Sequence, residues 1–143
     1  MVSSISLYAL LFVLFVFFIC TTYMDVTVRR LPNGLVILTA LLCLTVAISG
    51  DFYISSLQQS ALALAVGFGL FLLRVCGAGD IKLIAAYLLG IKPEYWALFL
   101  FVMSLIGTCL GVVQYIFRRQ QNAGIPYGVA ISLSGLFFVI ASV

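Results

Sequence analysis

Long apolar runs, separated by short polar or glycine-containing clusters, make up almost the whole chain. The runs cover residues 5–23, 35–49, 57–73, 80–91, 95–117 and 127–143. A hydrocarbon core about 30 Å thick needs roughly 20 apolar residues per helix, so runs of this kind predict membrane-crossing helices with short connectors. The pattern therefore predicts an all-α, polytopic transmembrane helix bundle of about six spans, forming a single domain over residues 1–143.

The fourth run, residues 80–91, is shorter than the others. At 1.5 Å per residue it rises only about 18 Å, which is too short to cross an undisturbed bilayer. If residues 77–82 lie at membrane depth, their backbone must be shielded by protein or line a wet cavity, because irregular backbone is not tolerated in lipid. Gly77 and Gly79 would give this segment the freedom to approach an extended peptide. We therefore expect a cavity here.

Composition agrees with a membrane protein and excludes a water-soluble one, since 65% of the residues are hydrophobic and 8% are charged. Charge along the chain gives an orientation. Only Lys92 lies on one side of the predicted bundle. The other six basic residues lie on the opposite side: Arg29, Arg30, Arg74, Lys82, Arg118 and Arg119. This is the cytoplasmic bias of short loops, so both termini are expected to face outward.

Metal and haem sites are not expected. The chain has no histidine, and its four cysteines occur singly, with no CxxC pair: Cys20, Cys43, Cys76 and Cys109. Small cysteines in apolar runs are typical of packing between helices. We therefore expect no metal and no cofactor.

Four carboxylates fall into two groups under this topology. Asp51 and Glu94 lie in outer loops: Asp51 follows Gly50 at the end of a run, and Glu94 follows Pro93 at a helix start, where an acid suits the positive end of the helix dipole. Asp25 and Asp80 lie at the cytoplasmic ends of the first and fourth runs. Each has a structural interpretation: Asp25 could pair with Arg29 one turn further along, and Asp80 could cap the helix of the fourth run.

Taken together, Asp25 and Asp80 favour a catalytic pair, because each is costly to hold beside hydrocarbon without a function. Two carboxylates a few ångströms apart share one proton, so one can act as general base on water while the other donates to a substrate carbonyl. This is the chemistry of aspartyl proteases. The proton belongs to the pair, and the sequence does not assign the acid and base roles.

Three segments resemble a known family. Residues 77–83, with the sequence GAGDIKL, resemble the GxGDxKL signature of type IV prepilin peptidases, which are GxGD membrane aspartyl proteases. Residues 25–33 resemble the first catalytic block of that family, an aspartate followed by basic residues and the pair Pro32 and Asn33. Residues 125–130 resemble the Pro-Tyr-Gly block of the short, Tad-type members, here Pro126, Tyr127 and Gly128.

The resemblance implies an aspartic endopeptidase that removes the leader peptide of type IV (Flp/Tad-like) prepilins on the cytoplasmic side of a bacterial inner membrane. Asp25 and Asp80 would be the catalytic residues. The motif residues that would support them are Gly77, Gly79, Lys82, Pro32 and Asn33. The paired cysteines of the larger, N-methylating members have no counterpart here, so cleavage without methylation is expected.

The implied partners are the prepilin, through its leader and its hydrophobic helix, and membrane lipid. No nucleic acid is expected, and the oligomeric state stays open. Three other functions remain: a peptidase for a preflagellin or another pilin-like leader, a small transporter that uses intramembrane acids as a relay, and a non-enzymatic subunit for pilus assembly.

Overall fold

The computed structural model describes residues 4–28, 31–117 and 127–143 of the chain. These residues form six α-helices and one short 3₁₀ helix, Pro93–Tyr95, and no strand occurs among them. The α-helices are α1 Ser4–Thr27, α2 Asn33–Ser49, α3 Tyr53–Leu72, α4 Ala78–Leu88, α5 Trp96–Phe117 and α6 Tyr127–Ser142. One helix corresponds to each predicted apolar run, which confirms the all-α helix bundle.

Among the residues that the structure describes, three segments are long and apolar enough to cross a membrane: Tyr8–Thr27, Tyr53–Leu72 and Pro93–Ile116. Two further helices, α2 and α6, are apolar but have only 17 and 16 residues. The 11 residues of α4 rise only about 16 Å, so this helix is not a crossing in its own right. Large apolar side chains on the outer faces are exposed, as expected where helices meet lipid. The chain is therefore a multi-pass membrane protein.

The short helix α4 and the helix α6 lie at the centre of the bundle. α4 packs against α2, α3 and α6, while α6 packs against α1, α4 and α5. Glycines permit two of these close approaches: Gly67 of α3 meets the Ile81 side chain, and Gly135 of α6 meets the Tyr87 ring. In both places an added Cβ would overlap the neighbouring side chain. The core of the fold is thus built around α4.

The start of α4 differs from the expectation of an irregular segment over residues 77–82. The helix begins at Ala78, and Gly77 precedes it as an extended N-cap residue with φ −74° and ψ 141°. None of the described glycines has a positive φ, so neither Gly77 nor Gly79 uses the conformational freedom that the sequence offered. Ala78, the first helical residue, is a strong helix former, and the helix continues through Gly79 and Asp80.

Candidate active site

Asp25 lies in the last turns of α1 and is 8% exposed. The start of α6 covers its carboxyl group: a Cβ added at Gly128 would lie 2.7 Å from Asp25 Cγ and 2.8 Å from Oδ2. Only a residue without a side chain allows the α6 backbone to come this close. The predicted pairing partner, Arg29, lies outside the described residues.

Asp80 is the third residue of α4 and is partly buried. The N-cap position belongs to Gly77, and no side chain caps the helix, so the alternative interpretation of Asp80 as the helix cap does not hold. Gly77 instead gives the carboxyl group room, because a Cβ there would lie 3.2 Å from Asp80 Oδ2. The side chain therefore makes no capping hydrogen bond at this helix end.

The two acids interact electrostatically. Burial raises the pKa of Asp80 from 3.8 to about 6, and the negative charge of Asp25 is the second cause of this shift. Asp80 stands at the start of a helix that is not among the spanning segments. Repulsion between two carboxylates is the condition under which a pair retains one proton at a pH where both would otherwise be ionised.

Two contacts join the motif block that carries Asp25 to the block that carries Asp80. Lys82 Nζ donates a hydrogen bond of 3.2 Å to Asn33 Oδ1, between the starts of α4 and α2. The backbone of Gly79 faces Leu31, whose Cβ would lie 3.8 Å from a Cβ added at Gly79. Pro32 is the N-cap residue of α2. The ends of α1 and α3 and the starts of α2, α4 and α6 therefore meet at one end of the bundle, called here the site end.

A model of the type IV leader peptidase family matches residues 12–112, which include both Asp25 and Asp80. The match covers well over half of the chain. The chain belongs to the type IV leader peptidase family.

A relative of this peptidase family from Legionella pneumophila, a "Prepilin leader peptidase/N-methyltransferase", is 31% identical over 96 residues. The aligned region is 64% of this chain and 33% of the relative, so the chain spans about a third of the length of the curated protein that it matches. No solved structure gives a significant match.

The other two acids lie away from the site end. Asp51 follows α2 in a left-handed conformation with φ 57°, and Glu94 lies in the first turn of the 3₁₀ helix before α5. At this opposite end the Lys92 amide donates a 3.0 Å hydrogen bond to Ser142 Oγ of α6. The division of the four carboxylates into two and two agrees with the sequence prediction. In the described part of the chain, no three Cys, Asp or Glu side chains gather as a metal site would require.

The back of α4 forms a groove with α2 and α3. Its volume is about 450 Å³, and its lining is apolar apart from Ser60 and the pair Asn33 and Lys82 at the site end. Lys82 follows Asp80 by two residues, which places it about 200° around the helix. The groove and the acidic pair therefore lie on opposite faces of α4.

Sequence reasoning missed the position of Gly128 against Asp25, although the residue belongs to a block with a family resemblance. It also missed three buried hydroxyl side chains, Thr21, Tyr87 and Ser132, that lie deeper in the bundle. Their helical spacing from the site residues was visible in the sequence: four residues from Asp25, seven from Asp80 and four from Gly128, respectively.

Proposed function

We propose that this chain is a membrane aspartyl endopeptidase that removes the leader peptide of type IV, Flp/Tad-like prepilins at the cytoplasmic face of a bacterial inner membrane. The observation that carries the proposal is that Asp25 and Asp80, from different helices and different motif blocks, lie at the same end of the bundle. The negative charge of Asp25 helps burial to raise the pKa of Asp80. Family membership supports the peptidase chemistry, and the name of the Legionella relative supports a prepilin as the substrate.

In the proposed reaction the acidic pair begins with one proton. The ionised carboxylate takes a proton from water, whose oxygen attacks the scissile carbonyl carbon, while the protonated carboxyl gives its proton to the carbonyl oxygen. The tetrahedral diol then collapses. The carboxyl that took the proton from water gives it to the leaving nitrogen, the other carboxylate takes a proton from a diol hydroxyl, and the C–N bond breaks. The pair returns to its starting state, and neither acid is assigned to one role.

The proposed orientation places the site end in the cytoplasm and both termini outside. Its support is the charge distribution, because Arg74 and Lys82 lie beside the site end while Lys92 lies at the opposite end. A cytoplasmic site is also where a leader peptide would reach the acids before its hydrophobic segment is exported.

Cleavage without N-methylation is a further part of the proposal. Its support is that the four cysteines are separate along the chain and free of disulfides, with Cys43 buried and the others exposed. Incubation with substrate and a labelled methyl donor, followed by mass spectrometry of the cleaved product, tests this part. An unmodified new terminus is expected, and a methylated one would contradict it.

The central experiment is coexpression with a Flp-type prepilin and measurement of leader removal by gel shift and mass spectrometry. Asp25→Asn and Asp80→Asn keep the side-chain shape and remove the charge, and each is expected to abolish cleavage. Asp51→Asn is the matched control, because this aspartate lies outside the site end, and it should cleave as the wild type does. Cleavage retained by either site variant at wild-type expression would disprove the acidic pair.

A non-catalytic assembly subunit would give a different result in this experiment. It would leave the prepilin uncut even with the wild-type chain. Cleavage of a preflagellin or pseudopilin leader, but not of the Flp-type prepilin, would keep the chemistry and correct the substrate.

A further inference from the structure

Three hydroxyl side chains from three helices meet beneath the acidic pair. Thr21 Oγ1 of α1 and Ser132 Oγ of α6 lie 3.0 Å apart, in hydrogen-bond contact, and both residues are 0% exposed. Thr21 Oγ1 also lies 2.9 Å from the carbonyl oxygens of Phe17 and Phe18 in its own helix, and either hydroxyl of the Thr21–Ser132 pair can be the donor. The hydroxyl of Tyr87 of α4 lies beside these two groups. We name these three residues the hydroxyl cluster.

Within the hydroxyl cluster, Thr21 and Ser132 form a hydrogen bond, and the Tyr87 hydroxyl lies beside them without one. It is fully buried and has no hydrogen bond of standard geometry to any residue in the described ranges. Its ring is held in place from the other side, because it packs directly on the backbone of Gly135 in α6. A phenol buried in an apolar core is costly unless a polar group pairs with its hydroxyl, and the hydroxyls of Thr21 and Ser132 are the groups beside it.

Each member of the hydroxyl cluster lies on the same helix face as a site residue. Thr21 precedes Asp25 by one turn, Ser132 follows Gly128 by one turn, and Tyr87 follows Asp80 by two turns. The cluster therefore joins the same three helices that form the site. Rotation of α4 would move both Tyr87 and Asp80.

We propose that Tyr87 is a positioning residue for the acidic pair: with Thr21 and Ser132 it fixes the rotation of α4 that turns Asp80 towards Asp25. The proposal rests on the proposed function. A 20° rotation moves a carboxyl that lies about 5 Å from the helix axis by about 2 Å. A misplacement of about 1 Å can lower a rate on the order of 100-fold. The effect of a lost hydroxyl is therefore amplified at the site.

The test uses the full chain, purified in detergent, with a prepilin substrate. Tyr87→Phe keeps the ring on Gly135 and removes only the hydroxyl. It is expected to lower kcat at least about fivefold with KM changed by less than about twofold, and to shift the pH profile of kcat, because the separation of the two carboxylates changes. Thr21→Val, which is nearly isosteric, is expected to act in the same direction and decides the matter if Tyr87→Phe does not fold.

Two matched controls separate positioning from ordinary packing. Ser134→Ala removes a buried hydroxyl from α6 whose hydrogen bonds within the described residues go to carbonyls of its own helix. Thr39→Val does the same on α2. Both should keep the wild-type kcat and pH profile per folded molecule. If Tyr87→Phe or Thr21→Val also keeps both and changes only thermal stability, the hydroxyl cluster is merely structural and the proposal is wrong.

Asp80→Asn is measured in the same series. If it retains cleavage, the acidic pair itself is disproved, and the positioning role falls with it. If it is inactive while Tyr87→Phe matches the wild type, the proposed function stands and only the positioning role is refuted.

Discussion

Gly128→Ala tests the contact between α6 and the carboxyl group of Asp25. The added Cβ would lie 2.7 Å from Asp25 Cγ, 2.8 Å from Oδ2 and 3.1 Å from Asp25 Cβ. Carbon atoms in contact prefer separations of about 3.5–4.0 Å, so the carboxyl group must move by about 1 Å. The carboxyl group is the mobile end of a short side chain and can rotate away, while the 3.1 Å contact with Asp25 Cβ requires the two helices to separate by only a few tenths of an ångström.

The expected effect on stability is small and the effect on activity is large. Overpacking of this kind costs about 1–3 kcal/mol, and alanine recovers about 0.5–1 kcal/mol relative to glycine in a helix. A reacting group displaced by about 1 Å can lose on the order of 100-fold in rate. We therefore expect kcat/KM to fall between about 10- and 100-fold, while the melting temperature stays within a few degrees of the wild type.

The assay is leader cleavage by purified protein, normalised to the folded fraction from thermal unfolding. Gly69→Ala is the control, because a Cβ at this helical position has nothing within 4 Å, so the variant gains helix propensity without a collision. It should cleave at the wild-type rate. If Gly128→Ala also does so, the carboxyl of Asp25 is not needed where the structure places it. If the activity of Gly128→Ala falls only in proportion to the loss of folded protein, the claim that the variant displaces the Asp25 carboxyl without unfolding the chain is refuted.

Three further predictions follow from the same structure. Because the pKa of Asp80 is raised from 3.8 to about 6, the native state binds more protons than the unfolded chain in that pH window, and wild-type stability falls as pH rises through it. Asp80→Asn should abolish this pH dependence of stability and should unfold at a higher temperature than the wild type at pH 7. The cleavage rate of the wild type should decline above about pH 6. A cleavage rate that rises up to pH 8 would contradict the shared proton. Gly90→Ala places a Cβ 3.0 Å from Cys43 Cβ and should cost about 1–3 kcal/mol of stability in thermal unfolding, with activity per folded molecule unchanged. Lys82→Met and Asn33→Ala each remove the same exposed hydrogen bond and should each lower the cleavage rate less than about tenfold. The double variant should cleave no more slowly than the slower of the two single variants, because the bond can be lost only once.

Most of the fold could be predicted because it is set by local composition. Six apolar runs of sufficient length in a chain with few charges leave only helices as an arrangement that satisfies the backbone in lipid. The six helices follow these runs, and the boundaries differ from the predicted ones by only a few residues. The start of α4 was the exception, since the two glycines indicated irregular backbone while Ala78 and the packing of α4 on three other helices favour a helix.

The site was only partly predictable for a different reason. Asp25 and Asp80 stand out in the sequence because acids are rare in this chain, and their position at helix ends follows from the runs. The sequence of one helix does not reveal which of its faces packs against another helix. That packing decides the contact of Gly128 with Asp25 and the meeting of the three hydroxyls. The structural interpretation of Asp80 as a cap failed for the same reason, because Gly77 takes the capping position.

The arrangement of the helices gives α6 a role that its sequence does not suggest, since it carries no charged residue. α1 and α4 supply the two acids, and each of them packs on α6. Gly128 of α6 fixes where the Asp25 carboxyl can lie, and one to two turns further on, Ser132 and Gly135 meet Thr21 and Tyr87. If this helix aligns the acids, substitutions at the α6 positions that meet α1 and α4 should reduce activity, most strongly at Gly128 and progressively less with distance from the site end. Ser134 is also buried but should tolerate alanine, whereas a purely structural α6 would show losses that follow burial alone.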